Sequence, residues 1–251
     1  MGTLRCENLC KSFGGVVALD KVSLRVPPRS RVAIIGPNGA GKTTLLNVFS
    51  GFCRPDSGHC YLEDHELTHL SPDKIARLGL VRTFQEVRLV QRVSVLENVL
   101  LARPGQRGER LLSALVGTGV RREEAKNRQE ALRILGFVNL VEAAVQPAGE
   151  LSHGQQRLLA LACCLAVQPR VLLLDEPVSG VDGAMRRRIL ELLPRLLEEM
   201  GIGLVSFIEH DLPAVQEVAD EVIVMDHGRI IAQGKPSEVL ELPEVIEAYL
   251  A

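Results

Sequence analysis

Two groups of residues in this 251-residue chain can do chemistry on phosphates. The first is Gly36-Pro-Asn-Gly-Ala-Gly-Lys-Thr43, which matches the spacing G-x-x-x-x-G-K-[ST] at every fixed position. Glycines there let backbone N–H groups turn inward and approach an anion closely. A helix opening at Lys42 aims its positive end at the same anion. Lys42 then reaches β- and γ-phosphates, and the Thr43 hydroxyl ligates Mg²⁺. Gly36, Asn38, Gly39, Gly41, Lys42, Thr43 and Thr44 are therefore the candidate nucleotide contacts of the loop. The second group is Asp175-Glu176, which follows the apolar run Val171-Leu-Leu-Leu174. Alone it would be a strand ending in a solvated acidic turn. Beside a phosphate loop, Asp175 can hold Mg²⁺ through water, and Glu176 can polarise an attacking water as general base. Pro177 stops the strand at that point.

These groups need elements to position them. Residues 30–35 form a short strand-like run, apolar after its first two residues, that ends in Gly36, and a helical pattern covers residues 42–50, giving strand, tight turn, helix. Further buried strands are expected at residues 171–174, 203–208 and 221–225, the last turning into residues 229–232. Helical patterns fill residues 184–200 and 213–219. Short apolar strands alternating with helices imply βαβ units and a largely parallel sheet. The N-terminal part differs. Residues 4–11, 16–26 and 58–63 look like strands separated by Gly and Pro turns, which suits an antiparallel sheet beside the parallel core. Residues 87–149 carry no strong strand pattern but do carry a helical stretch at residues 121–135. The expected fold is α/β: a P-loop NTPase core with a mostly parallel sheet, an N-terminal antiparallel β subdomain and a helical insertion. The whole chain is expected to be one domain, with core residues 1–85 and 151–251 and a helical subdomain over about residues 86–150.

Composition narrows the function classes. The net charge is −2, so the chain is not a globally basic nucleic-acid binder, and no nucleic acid partner is expected. The six cysteines include no C-x-x-C pair. The stretch holding Cys53, Cys60, His65 and His69 fits no zinc spacing. Cys163 and Cys164 lie in an apolar stretch and read as core residues. Scattered cysteines of this kind fit a reducing cytosol. The first twenty residues have no apolar signal-peptide region, and no run of about 18 apolar residues offers a membrane span. If the protein moves something across a bilayer, another chain must supply the channel.

Beyond these groups, the chain resembles the ATP-binding cassette (ABC) family over nearly its whole length. Leu151-Ser-His-Gly-Gln155 is similar to the family signature L-S-G-G-Q, with His153 in place of a glycine. The resemblance implies that Ser152 and Gly154 meet the γ-phosphate of an ATP held by an opposing subunit, with Gln155 also among the nucleotide-binding residues. Taken alone, Ser152 would be an ordinary helix N-cap. Gln85, in Arg82-Thr-Phe-Gln85, looks like the family's Q-loop glutamine, which touches Mg²⁺ or the attacking water. His210 looks like the switch histidine that contacts the γ-phosphate. Ser179-Gly-Val-Asp182 looks like the D-loop. Phe13 lies where cassettes keep an aromatic residue for adenine; its other reading is a core phenylalanine.

The resemblance thus implies ATP and Mg²⁺ as cofactors, with Glu176, His210 and Gln85 catalytic and Thr43, Gln85 and Asp175 at the metal. Four segments narrow it: Phe13-Gly-Gly-Val-Val-Ala-Leu19, Val81-Arg-Thr-Phe-Gln-Glu-Val-Arg-Leu89, Ile208-Glu-His-Asp211 and Pro243-Glu-Val-Ile-Glu-Ala-Tyr-Leu250. Together they look like the ATPase subunits of branched-chain amino acid importers, with urea and short-chain amide importers as close cousins. This implies transmembrane permease subunits, a second ATP-binding subunit (identical or homologous) and, indirectly, a periplasmic or extracellular substrate-binding protein. It also implies a peripheral position on the cytoplasmic face of the membrane. Three other readings are an exporter motor, a soluble ABC ATPase and a cassette that binds without hydrolysing. The soluble DNA-repair type needs a long coiled-coil insertion, and residues 86–150 are too few for one. The soluble ribosome-acting type usually has two cassettes, and here there is one. Intact Lys42, Asp175, Glu176 and His210 argue against a binding-only cassette.

Overall fold

A computed structural model describes residues 3–83, 89–104, 120–208 and 211–250. Two units emerge, Met1–Gln85 with Pro169–Ala251, and Glu86–Gln168. Numbering of elements follows the chain.

The first unit holds two sheets. Strands β1 (Leu4–Phe13), β2 (Val16–Val26), β4 (Ser57–Leu62) and β5 (His65–Glu66) form an antiparallel sheet in the order β2-β1-β4-β5. The other sheet runs β10 (Arg229–Gly234), β9 (Glu221–Asp226), β3 (Arg31–Ile35), β8 (Leu204–Ile208), β7 (Val171–Asp175), β6 (Leu80–Arg82). All its pairs are parallel except the β9–β10 hairpin. The two sheets obey different residue patterns for one reason. β7 (VLLLD) and β8 (LVSFI) are buried at every position, which needs apolar side chains on both faces. The second half of β2 alternates buried with exposed, as a sheet with one wet face does.

Sequence and structure differ mainly at element ends and in short elements. The phosphate-loop helix α1 covers Lys42–Phe49, α6 covers Gly183–Glu198 and α7 covers Leu212–Val218. Strand β6 was not expected. Its three residues are too few for a periodic signal, yet they pair in parallel with Val171, Leu172 and Leu173. Helices α2 (Pro72–Arg77), α8 (Pro236–Val239) and α9 (Pro243–Leu250) are likewise short, and each starts with proline at its first turn.

Within the second unit, α3 (Val95–Leu101), α4 (Val120–Phe137) and α5 (His153–Ala166) pack on one another, and Val99, Ile134, Leu158 and Leu159 on them are buried. Ser94 starts α3 with a capping box: its hydroxyl accepts from the Glu97 backbone N–H, and the Glu97 carboxylate accepts from the Ser94 N–H. Buried Asn98 then fixes the preceding loop. Its amide donates to the carbonyls of Val90 (3.1 Å) and Ser94 (3.0 Å), and its oxygen accepts from Val90 N–H at 2.9 Å. No helix among the described residues is long and apolar enough to cross a membrane.

Cys6 and Cys60 face each other across β1 and β4, both buried. Burial pushes the Cys6 thiol up to about 12 and the Cys60 thiol up to about 11. The reactive form is the thiolate, so at pH 8 both should resist alkylation in the folded chain. Mass-spectrometric mapping after iodoacetamide should find them modified only in denaturant. Rapid labelling of either under native conditions would contradict the packing of this sheet.

Candidate functional site

The loop between β3 and α1 is held by backbone. Gly36 has φ 143° and Gly41 has φ 99°. A Cβ at Gly36 would overlap the Met225 carbonyl oxygen in β9, and one at Gly41 would overlap the Ala18 carbonyl oxygen in β2. The Gly228 N–H, in the β9–β10 turn, donates to the Ala40 carbonyl at 3.1 Å. The loop is thus wedged against both sheets, and only glycine fits at the two tight points. Gly39, at φ 82°, has open space instead.

Helix α1 begins without a side-chain cap and without an acid in its first turn. Its first N–H groups and the positive end of its dipole therefore point at whatever fills the loop. Lys42 is 6% exposed. Its Nζ donates to the carbonyls of Gly36 (2.7 Å) and Pro37 (2.8 Å). Burial lowers its pKa, and the nearby negative charges of Glu176 and Asp175 counter that shift. Ala18, Asn38 to Thr44 and Glu176 line a cavity of about 270 Å³. The loop contacts named from the sequence therefore gather here, except Gly36, which sits behind at the Met225 carbonyl.

The acid pair ends β7. Glu176 adopts φ 48°, a left-handed conformation uncommon outside glycine. Its N–H donates to the Ile208 carbonyl at 3.2 Å, and its carbonyl accepts from Ser179 N–H at 3.2 Å. That turn lets Glu176 line the cavity while Asp175 stays buried. Thr43 and Asp175 offer a hydroxyl and a carboxylate, the hard oxygen donors Mg²⁺ takes in phosphate sites. The donor set fits that ion.

Asp175 has a partner that the sequence reading missed. Arg82 Nη2 donates to Asp175 Oδ2 at 2.6 Å, with the two side chains 4% and 6% exposed. Arg82 Nη1 donates to Asn47 Oδ1 at 2.7 Å and to Ser50 Oγ at 3.3 Å, both at the C-terminal end of α1. Asp175 N–H in turn donates to Thr83 Oγ1 at 3.3 Å. The available signal was an arginine closing a short apolar run, which carries little information without β6.

The remaining candidates fall as follows. Phe13 is 52% exposed at the end of β1, with Lys11 Nζ 5.2 Å from its ring centroid, so it is not a core residue. In the second unit, Ser152 caps α5. Its hydroxyl accepts from Gln155 N–H at 3.3 Å, and its own N–H donates to Gln155 Oε1 at 2.9 Å. Gly154 lies in the first turn of that helix. Asp182 caps α6, its Oδ1 accepting from the N–H groups of Ala184 and Met185 at 2.9 Å each. Gln85 and His210 lie outside the described residues. Asp211, next to His210, caps α7 through Ala214 N–H and pairs with Arg186 Nε at 2.7 Å.

The family model described as "ABC transporter" matches residues 19–179. A high-affinity branched-chain amino acid transport ATP-binding protein of Pseudomonas aeruginosa is 39% identical over 248 residues, covering 98% of this chain and 97% of the relative. The crystal structure of the ADP conformation of an ATP-binding cassette of an ABC transporter superposes with a TM-score of 0.85 at 36% identity, covering 100% of this chain and 99% of that one. A dimeric post-hydrolysis cassette bound to ADP and phosphate superposes with a TM-score of 0.73 at 25% identity, covering 93% and 98%.

The two tight glycine points generate a contrast. Gly36→Ala should lower stability by about 2 kcal/mol or more, because a carbonyl must move as well as φ. Gly39→Ala should cost only the left-handed strain, about 1 kcal/mol. Melting curves of the two variants decide it; equal losses would remove the clash argument.

Proposed function

The chain belongs to the ABC transporter family, whose cassettes bind nucleotide and hydrolyse ATP, and on that premise we propose that it is the ATP-hydrolysing subunit of a branched-chain amino acid importer. The observation that carries the substrate class is the end-to-end match to a branched-chain amino acid transport ATP-binding protein. ATP-binding subunits of importers work with permease subunits and dimerise. For this chain we add a substrate-binding protein that acts through the permease, and a location on the cytoplasmic face of the membrane.

In this reading the phosphates of ATP enter the cavity lined by residues 38–44. The N–H groups at the start of α1 and the Lys42 ammonium hold the β- and γ-phosphates. Thr43, Asp175 and Gln85 would hold Mg²⁺, which when bound would supply charge neutralisation at the phosphate oxygens. Glu176 accepts a proton from a water as that water's oxygen attacks the γ-phosphorus. The bond from the γ-phosphorus to its bridging oxygen breaks, and ADP and phosphate leave. His210 donates a hydrogen bond to the γ-phosphate, and Phe13 stacks on adenine. In a dimer, Ser152, Gly154 and Gln155 of one copy meet the ATP held by Lys42 of the other. ATP then favours the closed dimer because those contacts exist only there. Hydrolysis removes them.

Glu176→Gln should keep ATP affinity, lose about 100-fold or more of the hydrolysis rate, and collect as an ATP-bound dimer on size-exclusion chromatography. Normal turnover would end the role given to Glu176. Lys42→Ala should abolish ATP binding by calorimetry. For the substrate class, ATPase activity of the chain assembled with its permease is measured with binding proteins loaded with leucine, isoleucine or valine, and separately with urea or a short-chain amide. Stimulation by the amino-acid-loaded proteins supports the proposal. Stimulation by urea or amide alone, or by none, overturns it.

A further inference from the structure

The buried pair of Arg82 and Asp175 has a geometry that burial alone does not require. A buried carboxylate needs a counter-charge and hydrogen bonds. Lys42 is close enough to feel Asp175, yet its ammonium is bonded to the Gly36 and Pro37 carbonyls. The counter-charge comes instead from β6, the short neighbouring strand. Arg82 spends one arm of its guanidinium on Asp175 Oδ2 and another on Asn47 and Ser50. The planar fork therefore links the end of β7 to the far end of the helix whose first residues are Lys42 and Thr43. Only arginine spans the two with fixed geometry; a lysine is a single point charge. Thr83, the residue after β6, takes the Asp175 backbone N–H, so side chain and main chain are gripped by adjacent residues.

We propose that Arg82 is a positioning residue for metal binding: it commits Oδ2 of Asp175 and presents Oδ1 in a fixed orientation relative to Thr43. The inference rests on the reading that Asp175 helps hold Mg²⁺. Without Arg82, the Asp175 carboxylate turns toward Lys42, the other cation within electrostatic reach, and the metal loses an oriented ligand while Lys42 keeps its place on the phosphates. Arg82 also begins the Arg82-Thr-Phe-Gln85 run. The same three-residue strand that holds Asp175 thus leads into the second residue assigned to the metal.

The test is a Mg²⁺ titration of the melting temperature with a non-hydrolysable ATP analogue bound, for wild type, Arg82→Met, Arg82→Lys and Asp175→Asn. Loss of a group that orients a metal-binding carboxylate typically weakens metal affinity by about 10–100-fold. Arg82→Met should raise the Mg²⁺ midpoint by that factor while the analogue still stabilises the protein in EDTA as it does wild type. Arg82→Lys should fall between, since it restores charge but not the fork. Mn²⁺ paramagnetic resonance of the same complexes should show the altered coordination. Wild-type midpoints in both Arg82 variants, with Asp175→Asn shifted, would overturn the positioning role. An unshifted Asp175→Asn would instead overturn the reading of Asp175 itself. If Arg82→Met does not fold, Asn47→Leu decides, because it removes the shorter of the two bonds that tether Arg82 to α1 and leaves the ion pair. A raised midpoint supports the proposal, and an unchanged one overturns it.

Discussion

The first unit is organised around one backbone junction, the carbonyl oxygen of Ala18. A Cβ at Gly41 would collide with it, and a Cβ at Gly228 would come within 2.9 Å of it. Gly228 also donates to Ala40 and accepts from the Asp20 N–H. The antiparallel sheet, the phosphate loop and the β9–β10 turn therefore meet at one point with no side chain between them. Side chains hop between rotamers, but a main-chain junction has no such freedom. The loop inherits that rigidity. A helix N-terminus is a useful anion site only if its N–H groups stay aimed while the site is empty, and this junction aims them.

A second constraint acts on charge. Lys42 and Arg82 lie deep in the first unit, and so does Asp175, while Glu176 lines the cavity. Two cations and two carboxylates balance, but the pairing is not arbitrary. Arg82 takes Asp175, so Lys42 stays with the loop carbonyls and Glu176 stays at the cavity wall. The left-handed turn at Glu176 separates two adjacent acids that would otherwise follow one strand direction.

Much of this was legible in the amino-acid order. The strands β3, β7, β8 and β9 were visible because buried parallel strands leave unbroken apolar runs. The phosphate loop was visible because its glycines stand at fixed spacing. What the sequence hid is what depends on distant residues. β6 is three residues long, and its identity as a strand comes from β7 alongside it. The partnership of Arg82 with Asp175 spans 93 positions of chain. Asn98 is an ordinary polar residue on an apolar helix until three hydrogen bonds to the loop before it and to Ser94 are seen. Ser152 was readable as a helix start as well as a site residue, and it does cap a helix, as Asp182 does. A cap and a ligand contact use the same atoms, so sequence could not separate them.

The resting place of Lys42 sets what the loop will admit. Its ammonium lies buried on two carbonyl oxygens, which take the place of part of its water. A neutral ligand that displaced those carbonyls would exchange one dipole for another and gain almost nothing. An anion gains the difference between a full charge and a dipole, in surroundings where that difference is weakly screened. The loop thereby acts as a filter on ligand charge, set before any base or sugar is recognised.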